Sequence, residues 1–135
     1  MARPKAKELT ERELEVMHVF WDRGESSAPQ VRDALAEKGR DLAYTTVATL
    51  IRILLEKEFL LQTHDDPPFR YQPSRTYEEV TGSLLGDFVE KVFCGSRASL
   101  LLRLFEEQSL SAHDRKKLRD LLDEQEPRKS GKRRT

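Results

Sequence analysis

The chain has 135 residues, 37% of them hydrophobic, and its 24 Lys or Arg balance 24 Asp or Glu to a formal net charge of zero. That length suits one small domain with an appendage, and so charge-rich a composition builds modest cores that a second chain would help to complete. No apolar run approaches the roughly 18 residues of a membrane span. The start, from Met1 to Lys7, lacks the apolar stretch of a signal peptide, and the lone cysteine, Cys94, leaves no intramolecular disulfide. The chain therefore reads as soluble and cytoplasmic, with no membrane insertion.

Charge is unevenly spread. Residues 127–135 carry five Lys or Arg and no acid, which leaves residues 1–126 at −5, and residues 1–80 hold 12 basic against 15 acidic side chains. A nucleic-acid-binding head with that balance must concentrate its few cations where phosphates lie.

Leu9-Thr10-Glu11-Arg12-Glu13-Leu14 has the form of a helix start: Thr10 and Glu13 make a capping box, and Leu9 can staple onto Leu14. Leu14, Met17, His18 and Trp21 follow at helical spacing, widened by Val16 and Phe20, until Gly24. Ser27-Ala28-Pro29-Gln30 opens a second helix with the same box, and Val31, Ala34 and Leu35 form its inner face as far as Gly39. A third helix spans Ala43 to Lys57. Val47, Leu50, Ile51 and Leu54 make its apolar stripe, while Thr45, Thr49, Arg52 and Glu56 run down the opposite side.

Phe59 to His64 can form a strand, Asp65-Asp66-Pro67-Pro68 is turn chemistry, and Phe69 to Gln72 returns with Phe69 and Tyr71 on one face until Pro73 ends it. Three helices and a hairpin make the order of a winged helix-turn-helix head. An outward face of hydroxyls and one arginine ahead of the hairpin is what a recognition helix presents to a DNA groove. A merely solvated amphipathic helix has the same pattern.

From Thr76 the pattern is helical. Leu84, Leu85, Phe88, Val89, Val92 and Phe93 repeat at steps of three and four, then Leu100, Leu101, Leu104 and Phe105. Ser111 can cap a last segment with Leu118, Leu121 and Leu122 inward. Short helices this rich in leucine and phenylalanine call for a second copy, and twofold dimers are the commonest oligomers. The fold class is mainly α with a small β-hairpin: a winged-helix DNA-binding domain over residues 1–75, a helical dimerisation domain over 76–126 and a disordered basic tail over 127–135. The expected dimerisation residues are Leu84, Leu85, Phe88, Val92, Leu101, Leu104, Phe105, Leu118, Leu121 and Leu122.

The order and spacing of these segments resemble the penicillinase-repressor family, the BlaI/MecI/CopY group of bacterial transcriptional regulators. The resemblance covers about residues 8–125. It is carried by Leu9-Thr10 with Glu13-Leu14-Glu15-Val16-Met17 and Trp21; by Tyr44-Thr45-Thr46-Val47 with Thr49-Leu50, Arg52 and Glu56-Lys57; by Tyr71 and Pro73; and by Leu110-Ser111 with Asp114, Leu118 and Leu121-Leu122. It implies a homodimeric repressor that occupies a dyad operator in double-stranded DNA and is released by a signal. In the family that signal is a membrane sensor-protease pathway or a metal ion. The expected DNA-binding residues are Tyr44, Thr45, Thr46, Ala48, Thr49, Arg52 and Arg70, with Arg40 a further candidate in the turn.

Four departures bear on that picture. Ala48 stands where several members place a groove-reading glutamine, and an alanine reaches at most a thymine methyl. Arg103-Leu104 falls at the cleavage-sensitive Asn-Phe pair of the β-lactam-responsive members. The cysteine pairs of the copper-responsive members are absent, and Lys57-Glu58 replaces the lysine-glycine that usually ends the recognition helix.

No metal site or cofactor is expected, because His18, His64, His113 and Cys94 have no zinc-ligand spacing. His18 reads as a core or boundary residue and Cys94 as a small packing residue. With no glycine-rich phosphate loop and no local nucleophile arrangement, the chain is not expected to be an enzyme. The alternative reading is a winged-helix protein-interaction module without sequence-specific DNA binding.

Overall fold

The computed structural model describes residues 8–106 and 110–132, with side chains as far as residue 124. In chain order come α1 (Glu11–Arg23), α2 (Ala28–Glu37), α3 (Tyr44–Glu56), β1 (Leu60–Gln62), β2 (Tyr71–Pro73), α4 (Tyr77–Phe93), α5 (Arg97–Glu106) and α6 (Ala112–Lys132). The chain divides into two compact units, Met1–Ser83 and Leu84–Thr135, with the boundary inside α4. The architecture is mainly α with a two-stranded antiparallel hairpin.

In the first unit the helix starts are set by local chemistry. Thr10 Oγ1 accepts from the Glu13 N–H at 3.2 Å while Glu13 Oε1 accepts from the Thr10 N–H at 3.0 Å. Ser27 and Gln30 repeat this box at α2, and Thr76 and Glu79 repeat it ahead of α4. Gly24, at φ 83, stops α1 with its N–H on the Phe20 carbonyl.

Helices α1, α2 and α3 pack on one another, β1 lies against α3, and β2 lies against α1. The core is Val16, Met17, Val19 and Phe20 of α1, Val31, Ala34 and Leu35 of α2, and Val47, Ile51 and Leu54 of α3, closed by Phe59, Leu60 and Val80. Full burial of such side chains is worth about 1.5–3 kcal/mol each, so this unit carries a core of its own. The stripe of α1 is rotated from its sequence reading: Val19 is buried, Trp21 is half-buried and His18 is exposed. His18 stands edge-on to Trp21 at 5.5 Å, and the Trp21 indole N–H donates to the Arg75 carbonyl at 3.0 Å.

The hairpin is shorter than its sequence suggested. Leu60 pairs with Pro73 and Gln62 with Tyr71, so Pro73 lies within β2, whereas Phe69 and Arg70 precede it and Phe69 is exposed. An added bridge, Ser26 to Tyr71, exchanges two backbone hydrogen bonds of 2.9 Å and brings the α1–α2 loop onto the hairpin. An isolated hairpin is marginal in water; this one is held from both sides.

α3 ends without the glycine that such an end favours. Glu58 itself takes the left-handed conformation at φ 69, its N–H on the Leu55 carbonyl and the Phe59 N–H on the Leu54 carbonyl. Leu54 and Phe59, the two positions where this helix end usually places apolar side chains, are both buried.

In the second unit Ser96 and Ser111 each accept from the backbone N–H three residues on, at 3.1 Å. Among its described residues Val89 alone is a buried hydrophobic. Cys94 is exposed at φ 51 and is not a packing residue. α6 continues to Lys132, across the start of the segment read as a tail, and residues 133–135 lie outside the described residues.

Candidate nucleic-acid interface

α3 places its apolar stripe inward and leaves the opposite face open. Val47, Ile51 and Leu54 are buried, whereas Tyr44, Thr45, Thr46, Thr49, Arg52 and Glu56 are exposed and Ala48 is half-buried. The expected reading residues of this helix thus share one accessible surface. The N-cap of α3 is Ala43, and no side chain caps the first turn. Its N–H groups retain the capacity to meet an anion, which the aligned peptide dipoles favour at this end.

Three arginines expected or considered for DNA contact, Arg52, Arg40 and Arg70, each meet a carboxylate. Arg52 Nη1 donates to Glu56 Oε2 at 3.3 Å, one turn along the helix, with both side chains mostly in solvent. Arg40 meets the Glu15 carboxylate in two hydrogen bonds, from Nε at 3.1 Å and Nη2 at 2.7 Å. This pairing holds the Glu15 carboxyl below its ordinary range, against the opposing effect of burial, with a smaller contribution from Arg12.

Arg70 is bound into the base of the wing. Its Nη2 donates to the Glu25 carbonyl at 3.2 Å, and Nε lies 3.6 Å from the Glu25 carboxylate. The same carboxylate accepts from the Thr63 hydroxyl and lies 3.4 Å from His64 Nδ1. Glu25 is therefore held below the ordinary glutamate range, first by the Thr63 hydrogen bond, against partial burial, and then by the charge of Arg70. Tyr71 borders Tyr44, and its phenol is pushed up mainly by burial and secondarily by that neighbour.

Arg70 and the residues of α3 were legible as candidates from residue type and position. Glu25 was not: its wing partners Thr63 and Arg70 lie 38 and 45 residues away, beyond any local pattern. The Arg52 and Glu56 contact carried a signal, the four-residue spacing of a helical ion pair.

The expected dimerisation residues lie in the second unit. Leu85, Phe88, Val92, Leu101, Phe105, Leu121 and Leu122 are between 41% and 65% exposed, and Leu84, Leu104 and Leu118 are half-buried. Phe88 meets Phe93 edge-on at 5.8 Å. Among the described residues no group of three His, Cys, Asp or Glu is placed to hold a metal ion, and no helix is long and apolar enough to cross a membrane.

Comparison with known proteins places this geometry in a family. The family model for the penicillinase repressor matches residues 9–124. The transcriptional regulator BlaI of Mycobacterium tuberculosis is 36% identical over 104 residues, covering 76% of this chain and 75% of that protein. The methicillin resistance regulatory protein MecI of Mammaliicoccus sciuri is 29% identical over 118 residues, covering 87% and 95%. A solved structure of H. salinarum RosR matches with a TM-score of 0.51 at 12% identity, over 88% of this chain and 94% of that one, a likeness of fold alone. With its winged helix-turn-helix head, the chain belongs to the penicillinase-repressor family of transcriptional regulators.

Proposed function

We propose that the chain works as a homodimer that sets α3 of each protomer into the major groove of a dyad operator and represses transcription by occupying promoter DNA. The observation that carries this reading is the uncovered face of α3, where Thr45, Thr49 and Arg52 stand opposite the buried Val47, Ile51 and Leu54. Hydroxyls and a guanidinium can donate to phosphates and base edges. Two half-sites would then be separated by a multiple of about 10 base pairs.

The dimer has its own support. Ordering backbone costs about 1–2 kcal/mol per residue, and Val89, the one buried hydrophobic among the described residues of the second unit, offsets little of that. A second copy laid on the exposed leucines and phenylalanines supplies the missing burial. Dimerisation also compensates for a head whose Arg40, Arg52 and Arg70 each face a carboxylate, because two weak contacts joined in one molecule bind far more tightly than either alone.

One observation favours the second reading, a winged-helix protein-interaction module: Arg40, Arg52 and Arg70 all face carboxylates. A mobility shift of the full chain on the DNA upstream of its own gene, with competitor DNA present, separates the two. Retardation that is lost in Thr49→Ala and Arg52→Ala supports the repressor. Absence of retardation at low salt favours the module.

A further inference from the structure

We propose that Glu56 is a specificity-determining residue of α3, accepting a hydrogen bond from an exocyclic base amine, cytosine N4 above all, while Arg52 turns from it to a guanine. The inference rests on the reading of α3 as the helix that enters the groove.

Glu56 lies on the same stripe as Thr45, Thr49 and Arg52, and its side chain is 65% exposed. Four residues of helix advance about 6 Å, less than two base-pair steps of about 3.4 Å. Arg52 and Glu56 are thus spaced to address one pair or two adjoining pairs.

An ionised carboxylate only accepts hydrogen bonds. Against a phosphate it is repelled, and against guanine N7 and O6 or thymine O4 it meets another acceptor. The major groove offers it a donor only at cytosine N4 and adenine N6. Arg52 has the opposite requirement, which guanine meets best. A C·G pair presents both partners side by side, and in free protein each of the two side chains occupies the other at 3.3 Å. Such an exposed pair is weakly held, so a matching base pair replaces it readily, whereas a mismatched one leaves the carboxylate facing acceptors. Glu56 therefore acts as a filter: it lowers affinity for DNA in general and spares sites with the right amine.

Selection from a randomised duplex library by full-length protein tests this. Wild type is expected to enrich cytosine over thymine about tenfold or more at one position of each half-site, the scale of one good base contact. Glu56→Ala is expected to keep the rest of the motif, lose that preference and bind random DNA more tightly. If Glu56→Ala selects the same motif as wild type, the inference falls while the reading of α3 stands. Absence of any enriched motif with wild type overturns both. Should Glu56→Ala select nothing, Glu56→Leu, which keeps bulk and helix propensity but has no acceptor, decides: a motif changed at that one position supports the filter, and an unchanged motif overturns it.

Discussion

Lys57 Nζ donates to the Glu13 carboxylate at 2.8 Å and so closes the end of α3 onto the first turn of α1. Only 5% of the Glu13 side chain is exposed, and the oxygen that accepts from Lys57 also accepts from the Thr10 N–H. The capping box of α1 and the end of α3 are thus one hydrogen-bonded unit. Lys57→Met is expected to destabilise the protein by about 2 kcal/mol, because among the described residues it leaves the covered carboxylate with the Thr10 N–H as its donor. Urea midpoints check this. Adding Glu13→Gln to Lys57→Met should recover part of the loss, and a purely additive double mutant would count against the coupling.

Glu58 holds a left-handed conformation at φ 69 that L side chains resist. Glu58→Gly is expected to be more stable than Glu58→Ala by about 1 kcal/mol, because both lack the carboxylate and only alanine keeps the Cβ that the left-handed conformation crowds. Thermal melts at constant protein concentration measure it.

Acid should loosen two ion-paired joints. Glu15, beside Arg40, and Glu25, beside the Thr63 hydroxyl, both have carboxyls below the ordinary value of 4.5 in the fold. Their contribution to stability is complete above 4.5 and disappears as pH falls through the lower folded values. Arg40→Ala should therefore be less stable than wild type near neutrality and converge on it in acid. Unfolding midpoints followed from neutral pH to about pH 3 show the convergence; parallel curves would refute it.

The apolar side of the second unit predicts self-association. Phe88, exposed beside Phe93, sits among the leucines proposed to meet a partner copy. Phe88→Asp would bury a carboxylate there, and sedimentation equilibrium should show a dissociation constant raised by about a hundredfold or more. Operator affinity should fall with it.

Salt dependence reveals what Arg52 touches. If its guanidinium neutralises a phosphate, Arg52→Ala lowers the slope of log affinity against log salt by about 0.9. If it reads guanine, as inferred above, the slope stays nearly the same and the base preference relaxes. Fluorescence anisotropy across a salt series distinguishes the two.

Local chemistry made much of this protein legible from its residues. Thr10 with Glu13 and Ser27 with Gln30 announced two helix starts, because a capping box is complete within four residues. The alternation of Val47, Ile51 and Leu54 with Thr45, Thr49 and Arg52 determined which side of α3 is buried, because a helix repeats every 3.6 residues whatever surrounds it. The tertiary structure alone decided how those pieces lock: Glu13 with Lys57, Glu15 with Arg40, Glu25 with the arms of the wing, and Ser26 with Tyr71. It also turned His18 to solvent and gave the left-handed helix end to a glutamate. Charges tens of residues apart find their partners only after the core has brought them together. Which cations remain free to meet DNA is therefore a property of the packed head and cannot be read along the chain.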